Sequence, residues 1–193
     1  MEKLTLVIPL FNEEENINKL FSDIKKYNVY DLVDEVLFIN DGSTDNTSQV
    51  INDINYNNSK VNFIENNINM GQSYSIYIGC KNSKNDTIIT IDGDNQNNPK
   101  DIQKIVKEYI SNRDLYLVGG IRKIRKDNII KIYSSKIANS VRRRVLNDDC
   151  DDTGCSLKVF DRKTFLLFPY FNGIHRFLPA LFKGYGKKTK FIE

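Results

Sequence analysis

The sequence lacks the features that would place it inside a membrane or in an oxidising compartment. No apolar run approaches the roughly 20 residues that a helix needs to cross a bilayer, and the chain does not open with a basic region followed by an apolar stretch, as a secretory signal does. The three cysteines, Cys80, Cys150 and Cys155, form neither an even set nor a metal-ligand spacing. We therefore expect a cytoplasmic protein with reduced thiols, which would meet any membrane from its surface or through a part beyond this sequence.

Charge and repetition exclude further classes of protein. The chain carries 28 Lys and Arg against 25 Asp and Glu, and this net charge of +3 is too small for a polybasic nucleic-acid-binding protein. No G-x-G-x-x-G sequence follows the first predicted strand, which argues against a dinucleotide-dependent oxidoreductase. There is no repeat and no linker-like segment, so we expect the 193 residues to form a single domain over residues 1–193.

Short runs of β-forming residues alternate with segments of helical period, and this alternation predicts βαβ units around a mostly parallel sheet. The predicted strands cover residues 4–9, 35–39, 61–64, 87–91 and 115–118. The predicted helices cover residues 13–27, 72–80 and 129–146, with two more starting after a cap at Thr44 or Asp45 and at Pro99. The last residues, 190–193, are typical of a strand and can continue beyond Glu193.

Two carboxylates one residue apart, Asp92 and Asp94, follow directly after the predicted strand 87–91. Open α/β sheets bind their ligands at this end of a strand. Two hard oxygen ligands can hold Mg²⁺ or Mn²⁺ and leave positions for phosphate oxygens, and Gln96 can add an amide oxygen or hold a ligand water. Such a metal would neutralise charge on a leaving diphosphate. The alternative interpretation is a polar turn without a metal.

Polar residues also follow the first two predicted strands. Asp41 stands beside Gly42 after the second strand, and its carboxylate can accept hydrogen bonds from a nucleobase or a ribose. Asp45 fits an Asx turn or a helix cap instead. The loop over residues 9–13 would reach the same edge of the sheet from the first strand.

In their order and spacing these motifs resemble the family 2 glycosyltransferases with the GT-A fold, in particular the dolichol-phosphate mannosyltransferase-like branch of bacterial polyprenyl-phosphate glycosyltransferases. The resemblance covers nearly the whole chain and rests on residues 7–14, 39–47, 69–72, 92–99, 120–127, 135–139, 152–158 and 175–181. It implies an α/β fold with a Rossmann-like mixed, mostly parallel sheet flanked by helices. A donor and metal-binding half would cover about residues 1–120, and an acceptor half about residues 121–193.

The resemblance also implies an activity and assigns residues to it. The activity is inverting transfer of a sugar from a UDP- or GDP-sugar to a polyprenyl phosphate in cell-envelope glycan synthesis. The residues implied for the nucleoside are Pro9, Phe11, Glu13 and Asp41, and those implied for the metal and diphosphate are Asp92, Asp94 and Gln96, with Asp94 also catalytic. The chain departs from the branch in two places: Asn95 replaces a usual leucine, and residues 73–75 replace small apolar residues.

A basic cluster is expected to face the acceptor. Residues 122–144 contain nine Lys and Arg against one acidic residue, a net charge of +8. Lys131 and Ser135 lie one helical turn apart and could share a phosphate. Arg122 follows the strand that ends near the metal motif, residues 92–99, and is expected to act in catalysis by offsetting repulsion between the two phosphate-bearing substrates. In the resembling family, matching positions approach the lipid phosphate. The arginines at 142–144 could lie on an anionic membrane surface at the inner face of the cytoplasmic membrane, although a solvated helix face is the alternative.

The acceptor decides which further residues are needed. A phosphate monoester already carries an oxyanion at about pH 7 and requires no general base, whereas a hydroxyl acceptor on a glycan would require one, such as Asp152. Asp152 is thus either a catalytic carboxylate near the sugar or a turn residue. His175, the only histidine, either contacts the donor phosphate or the metal or makes a structural hydrogen bond. A noncatalytic nucleotide-sugar-binding module is the other alternative, and the sugar, the nucleotide and the oligomeric state stay open.

Overall fold

A computed structural model describes residues 2–121, 150 and 152–193 of the chain. Its strands are β1 (Leu4–Leu10), β2 (Glu35–Asn40), β3 (Val61–Glu65), β4 (Thr87–Thr90), β5 (Leu115–Gly120), β6 (Lys158–Asp161) and β7 (Lys188–Ile192). Its helices are α1 (Glu14–Lys26), α2 (Val29–Leu32), α3 (Thr47–Tyr56), α4 (Gln72–Asn82), α5 (Lys100–Ser111), α6 (Arg162–Leu166) and α7 (Ile174–Gly184). None of the described helices is long and apolar enough to span a bilayer.

The strands form one seven-stranded mixed sheet in the order β3-β2-β1-β4-β6-β5-β7. β1, β2, β3 and β4 pair in parallel, β6 runs antiparallel to β4 and β5, and β7 is parallel to β5. This confirms the predicted mostly parallel α/β sheet. The order reverses next to β1, since β2 and β3 lie on one side of it and β4 on the other. Such a switch point opens a crevice at the carboxyl ends of the strands, where α/β proteins bind ligands.

Each face of the sheet carries its own hydrophobic core. Along β1, Leu6 and Ile8 point into a core shared with α1 and α5, whereas Val7 points into a core shared with α4 and α7. Because both faces are covered, the central strands are apolar almost throughout, which is why the sequence identifies them so readily.

The element boundaries agree with the sequence predictions to within two residues for the five predicted strands. Three helices, α2, α6 and α7, were not predicted. Pro99 precedes α5 as its N-cap residue instead of opening the helix. The predicted helix over residues 129–146 lies outside the described residues.

Candidate active site

A cavity of about 310 Å³ lies where β1, β2 and β4 end, at the switch point of the sheet. Loops after all three strands and the start of α4 form its walls. Six of the residues that the sequence predicts for donor and metal binding line it together: Pro9, Phe11, Glu13, Asp41, Asp92 and Asp94. The fold brings these residues together although some lie far apart in the sequence: Pro9 and Asp94 are separated by 85 positions. Their individual roles stay predictions.

Hydrogen bonds fix the two aspartates of the metal motif in different ways. Asp92 Oδ1 accepts a hydrogen bond from Gln72 Nε2 at 2.6 Å, and the Asp92 backbone N–H donates to Ser156 Oγ at 3.1 Å. Asp94 Oδ1 accepts from the backbone N–H of Gln96 at 3.0 Å, which closes an Asx turn. The turn can lie close against β1 because Gly93 has no side chain: a Cβ there would collide with Cδ2 of Leu10.

Glu13 adds a third carboxylate to this wall of the cavity. Burial raises the pKa of Glu13 above its ordinary value, the negative charges of Asp94 and Asp45 raise it further, and a hydrogen bond from Asn16 Nδ2 at 2.6 Å opposes them. Asp94 and Glu13 are therefore close enough to repel each other. A bound cation would relieve this repulsion.

The donor set fits a divalent cation that takes several ligands from its substrate. Asp92 and Asp94 supply carboxylate oxygens, which Mg²⁺ and Mn²⁺ prefer, and they leave positions for water and phosphate oxygens. Within the described residues no group of three His, Cys, Asp or Glu side chains could hold a metal on its own. Gln96 is exposed and lines a neighbouring cavity of about 430 Å³, so its place at the metal stays a prediction.

Asp41 holds the loop that forms another wall of the cavity. The side chain is 3% exposed. Its Oδ1 accepts hydrogen bonds from Asn66 Nδ2 at 2.7 Å and from the backbone N–H of Met70 at 3.0 Å, and its Oδ2 accepts from the N–H of Gly71 at 2.7 Å. The sequence suggested only a nucleoside contact for Asp41. The loop contacts show that this carboxylate also shapes the cavity before any ligand binds.

The loops after β1 and β2 are joined by reciprocal hydrogen bonds. The backbone N–H of Asn12 donates to Ser43 Oγ at 2.9 Å, and the N–H of Thr44 donates to Asn12 Oδ1 at 2.8 Å. Asp45 Oδ1 accepts from the N–H of Thr47, the first residue of α3, at 3.0 Å, which closes the predicted Asx turn, but the N-cap residue of α3 is Asn46 instead of the predicted Thr44 or Asp45. Asn12 has φ +54°, a conformation that asparagine tolerates better than most residues. The two loops therefore act as one rigid wall.

Asn95, one of the two departures from the branch, has a structural explanation. It adopts φ +58°, and its Nδ2 donates to both the backbone oxygen and the Oδ1 of Asn16, each at 3.1 Å. Asn16 in turn donates to Glu13. Asn95 therefore connects the metal motif to α1 and, through Asn16, to the cavity wall. A leucine could neither make these bonds nor adopt this backbone conformation easily.

His175 makes structural hydrogen bonds between α4 and α7. Its Nδ1 lies 2.7 Å from Ser73 Oγ, which also accepts the backbone N–H of Gly173 at 2.8 Å. The Nε of Arg176 donates to His175 Nε2 at 3.3 Å, so Nδ1 carries the ring proton and donates to Ser73. Burial lowers the pKa of His175 to about 4, and the charges of Lys158 and Arg176 contribute. Ser73, the first residue of the second departure, therefore holds a neutral histidine. A donor contact for His175 stays a prediction.

The remaining predicted residues are not among those that line the cavity or lie outside the described residues. Asp152 is 3% exposed, and its carbonyl oxygen accepts from the N–H of Cys155 at 3.2 Å in a turn. Arg122, Lys131 and Ser135 lie outside the described residues, so the basic cluster is untested. Ser156, just before β6, accepts a hydrogen bond from the backbone of Asp92, and Lys158, the first residue of β6, pairs with Thr90 of β4. Neither was predicted as a site residue, because these contacts depend on the tertiary fold.

The mixed sheet, with a double-carboxylate loop at its switch point, defines the GT-A class of glycosyltransferase folds. The family model described as "Glycosyl transferase family 2" matches residues 5–167, and the chain belongs to this family. This confirms the family and the fold that the motifs suggested.

Among curated proteins, the chain is 34% identical over 187 residues to dodecaprenyl-phosphate galacturonate synthase of Rhizobium johnstonii, covering 94% of this chain and 54% of that protein. It is 29% identical over 195 residues to undecaprenyl-phosphate 4-deoxy-4-formamido-L-arabinose transferase of Proteus mirabilis, covering 100% of this chain and 59% of that protein. The chain thus spans somewhat more than half the length of these relatives.

Two solved structures show the same fold at low sequence identity. Glucosyl-3-phosphoglycerate synthase from Mycobacterium tuberculosis, in complex with Mn²⁺, UDP-glucose and phosphoglyceric acid, has a TM-score of 0.74 at 18% identity over 98% of this chain and 69% of that one. A mannosyltransferase from Pyrobaculum calidifontis, in complex with GDP-mannose and Mn²⁺, has a TM-score of 0.70 at 13% identity over 98% of this chain and 54% of that one.

Proposed function

We propose that this chain forms the catalytic part of an inverting glycosyltransferase that uses a nucleotide-diphosphate sugar, a divalent cation and a polyprenyl phosphate acceptor. The observation that carries the proposal is the single cavity lined by the six predicted donor and metal residues. The acceptor is supported by two relatives whose names specify dodecaprenyl phosphate and undecaprenyl phosphate. The two solved neighbours bind a UDP-sugar and a GDP-sugar, so both nucleotides enter the test.

Different residues of the cavity would bind the metal and the donor. Asp92 and Asp94 would hold Mg²⁺ or Mn²⁺, which when bound neutralises charge on the departing diphosphate. Gln72 keeps Asp92 in one orientation through its 2.6 Å hydrogen bond. Phe11, which is 44% exposed, offers an aromatic face to the nucleoside beside the loop that Asp41 fixes. Such a prearranged site lowers the entropic cost of bringing the two substrates together.

The acceptor side rests on sequence and on the relatives. Arg122, Lys131 and Ser135 would bind the lipid phosphate and offset its repulsion from the donor phosphates. The acceptor oxyanion would attack the anomeric carbon directly, so Asp152 would not be required as a base. The arginines at 142–144 would place the enzyme on the anionic inner face of the cytoplasmic membrane.

The test measures release of nucleoside diphosphate from UDP- and GDP-sugars with Mn²⁺ or Mg²⁺, with and without polyprenyl phosphate. Release from the wild-type protein should require both the metal and the lipid. It should fall by at least about 100-fold in Asp94→Ala, since a charge-stabilising ligand is lost. Asp53→Ala is the matched control, because Asp53 is an exposed carboxylate on α3.

Other results would favour the alternatives. Turnover on a glycan hydroxyl that disappears in Asp152→Asn would support a general-base mechanism on a different acceptor. Metal-dependent donor binding with no turnover on any acceptor would support a noncatalytic binding module.

A further inference from the structure

A buried lysine lies directly behind the metal motif. Lys158 is the first residue of β6, is 4% exposed, and pairs with Thr90, the last residue of β4. Residues opposite each other in an antiparallel pair project from the same face of the sheet, and side chains alternate along a strand. Lys158 therefore shares a face of the sheet with Thr90, which lies two residues before Asp92.

The Lys158 ammonium group and the metal motif are joined through one short turn. Lys158 Nζ donates to the backbone oxygens of Thr153 and Cys155. The next residue of that turn, Ser156, accepts at its Oγ from the N–H of Asp92 at 3.1 Å, and its backbone oxygen accepts from Thr90 Oγ1 at 2.6 Å. The position of the lysine is thus coupled to that of the metal motif.

The side chains that line the cavity carry negative charge that a buried lysine can balance. Four carboxylates line the cavity, and none of its described lining residues is a lysine or an arginine. Burial lowers the pKa of Lys158, whereas neighbouring groups, among them Asp92 and Asp152, oppose this shift. A buried cation is costly to maintain, and the backbone oxygens of Thr153 and Cys155 together with the neighbouring carboxylates reduce that cost without cancelling it, since the pKa of Lys158 stays below its ordinary value.

We propose that Lys158 is a positioning residue whose buried ammonium serves as a fixed counter-charge to the carboxylates of the metal motif, so that the site can hold a cation and a nucleoside diphosphate together. This inference rests on the proposed function. Without the counter-charge, the four carboxylates would still attract a cation but would repel the phosphates more strongly. The lysine therefore acts in opposite directions on the two ligands.

Replacing Lys158 by neutral residues should reveal these opposite effects. In Lys158→Met, Mn²⁺ alone should bind as tightly as in the wild type or roughly several-fold more tightly, because a repelling charge is removed. UDP or GDP in saturating Mn²⁺ should bind about tenfold more weakly, because an attracting charge is removed. Lys158→Gln retains N–H donors for the two carbonyl oxygens and should behave like Lys158→Met, whereas Lys158→Arg retains the charge and should resemble the wild type.

The measurements are Mn²⁺ binding by electron paramagnetic resonance, UDP and GDP binding by calorimetry, and the melting temperature of each variant. Lys60→Met is the matched control: Lys60 Nζ also donates to two backbone oxygens, those of Tyr30 and Val33, at 3.0 and 2.9 Å, but at the opposite edge of the sheet. It should leave both affinities unchanged.

A purely structural lysine would give a different pattern. Binding of Mn²⁺ and of the diphosphates would then weaken together in Lys158→Met, or Lys158→Gln would match the wild type, and either result would overturn the counter-charge. If the wild-type protein bound Mn²⁺ but neither UDP nor GDP, the proposed donor site would fail and the counter-charge with it. Normal wild-type binding with unchanged affinities in both neutral variants would overturn the counter-charge alone.

Discussion

At the scale of single residues, His175 should make the stability of the fold depend on pH. Its folded-state pKa is lowered from 6.5 to about 4 by burial and by the charges of Lys158 and Arg176. The unfolded chain therefore binds a proton that the folded chain does not, and stability should fall as the pH decreases from about 6.5 to about 4. The loss should be on the order of 2 kcal/mol.

Urea unfolding at several pH values, with and without the substitution His175→Gln, measures this contribution. The variant should be less stable at neutral pH, where the bond to Ser73 is lost, but its stability should decline less between pH 6.5 and 4. Because His175 is the only histidine, no other imidazole can mask the difference. Parallel pH profiles in the two proteins would show that His175 titrates normally and would contradict the buried neutral histidine.

At the scale of elements, the approach of the metal motif to β1 depends on Gly93. A Cβ at this position would collide with Leu10 Cδ2 and lie 3.4 Å from the backbone oxygen of Pro9. Gly93→Ala should push the turn away from β1, destabilise the fold by about 1–3 kcal/mol, and weaken Mn²⁺ binding. Urea unfolding and a Mn²⁺ titration measure the two effects.

Gly184→Ala provides the control for this substitution. Gly184 is the last residue of α7, and a Cβ added there would meet nothing within 4 Å. The change should be neutral or should stabilise the protein by up to about 1 kcal/mol. Unchanged stability and Mn²⁺ affinity in Gly93→Ala would show that the contact with β1 does not position the metal motif.

The elements also show why some features of this chain can be predicted from sequence and others cannot. The central strands are buried on both faces and leave long apolar runs, and motifs after strand ends in a parallel sheet necessarily converge. In contrast, α2 and α6 are too short to show a helical period. The loop contacts of Asp41 join residues 25 to 30 positions apart, and no local pattern reveals them.

At the scale of the whole molecule, opposite charges are segregated along the sequence. The described cavity is acidic, whereas residues 122–144, outside the described part, carry a net charge of +8. Under the proposed function, the acidic residues would hold the cation and the basic cluster would bind the acceptor phosphate. The six predicted donor and metal residues that line the cavity all lie among the described residues.

The chain should therefore bind a donor nucleotide by itself, although it spans only somewhat more than half the length of its relatives. A ligand at 100 times its dissociation constant stabilises the folded state by about 2.7 kcal/mol, which should raise the melting temperature of a chain of this size by about 5–10 °C. We expect this shift with Mn²⁺ and either UDP or GDP, and the nucleotide that gives the larger shift identifies the donor. EDTA should abolish the shift, and so should Asp94→Ala, whereas Asp53→Ala should preserve it. If neither nucleotide raises the melting temperature of this chain but both do so in a longer form of the protein, part of the donor site lies beyond these 193 residues.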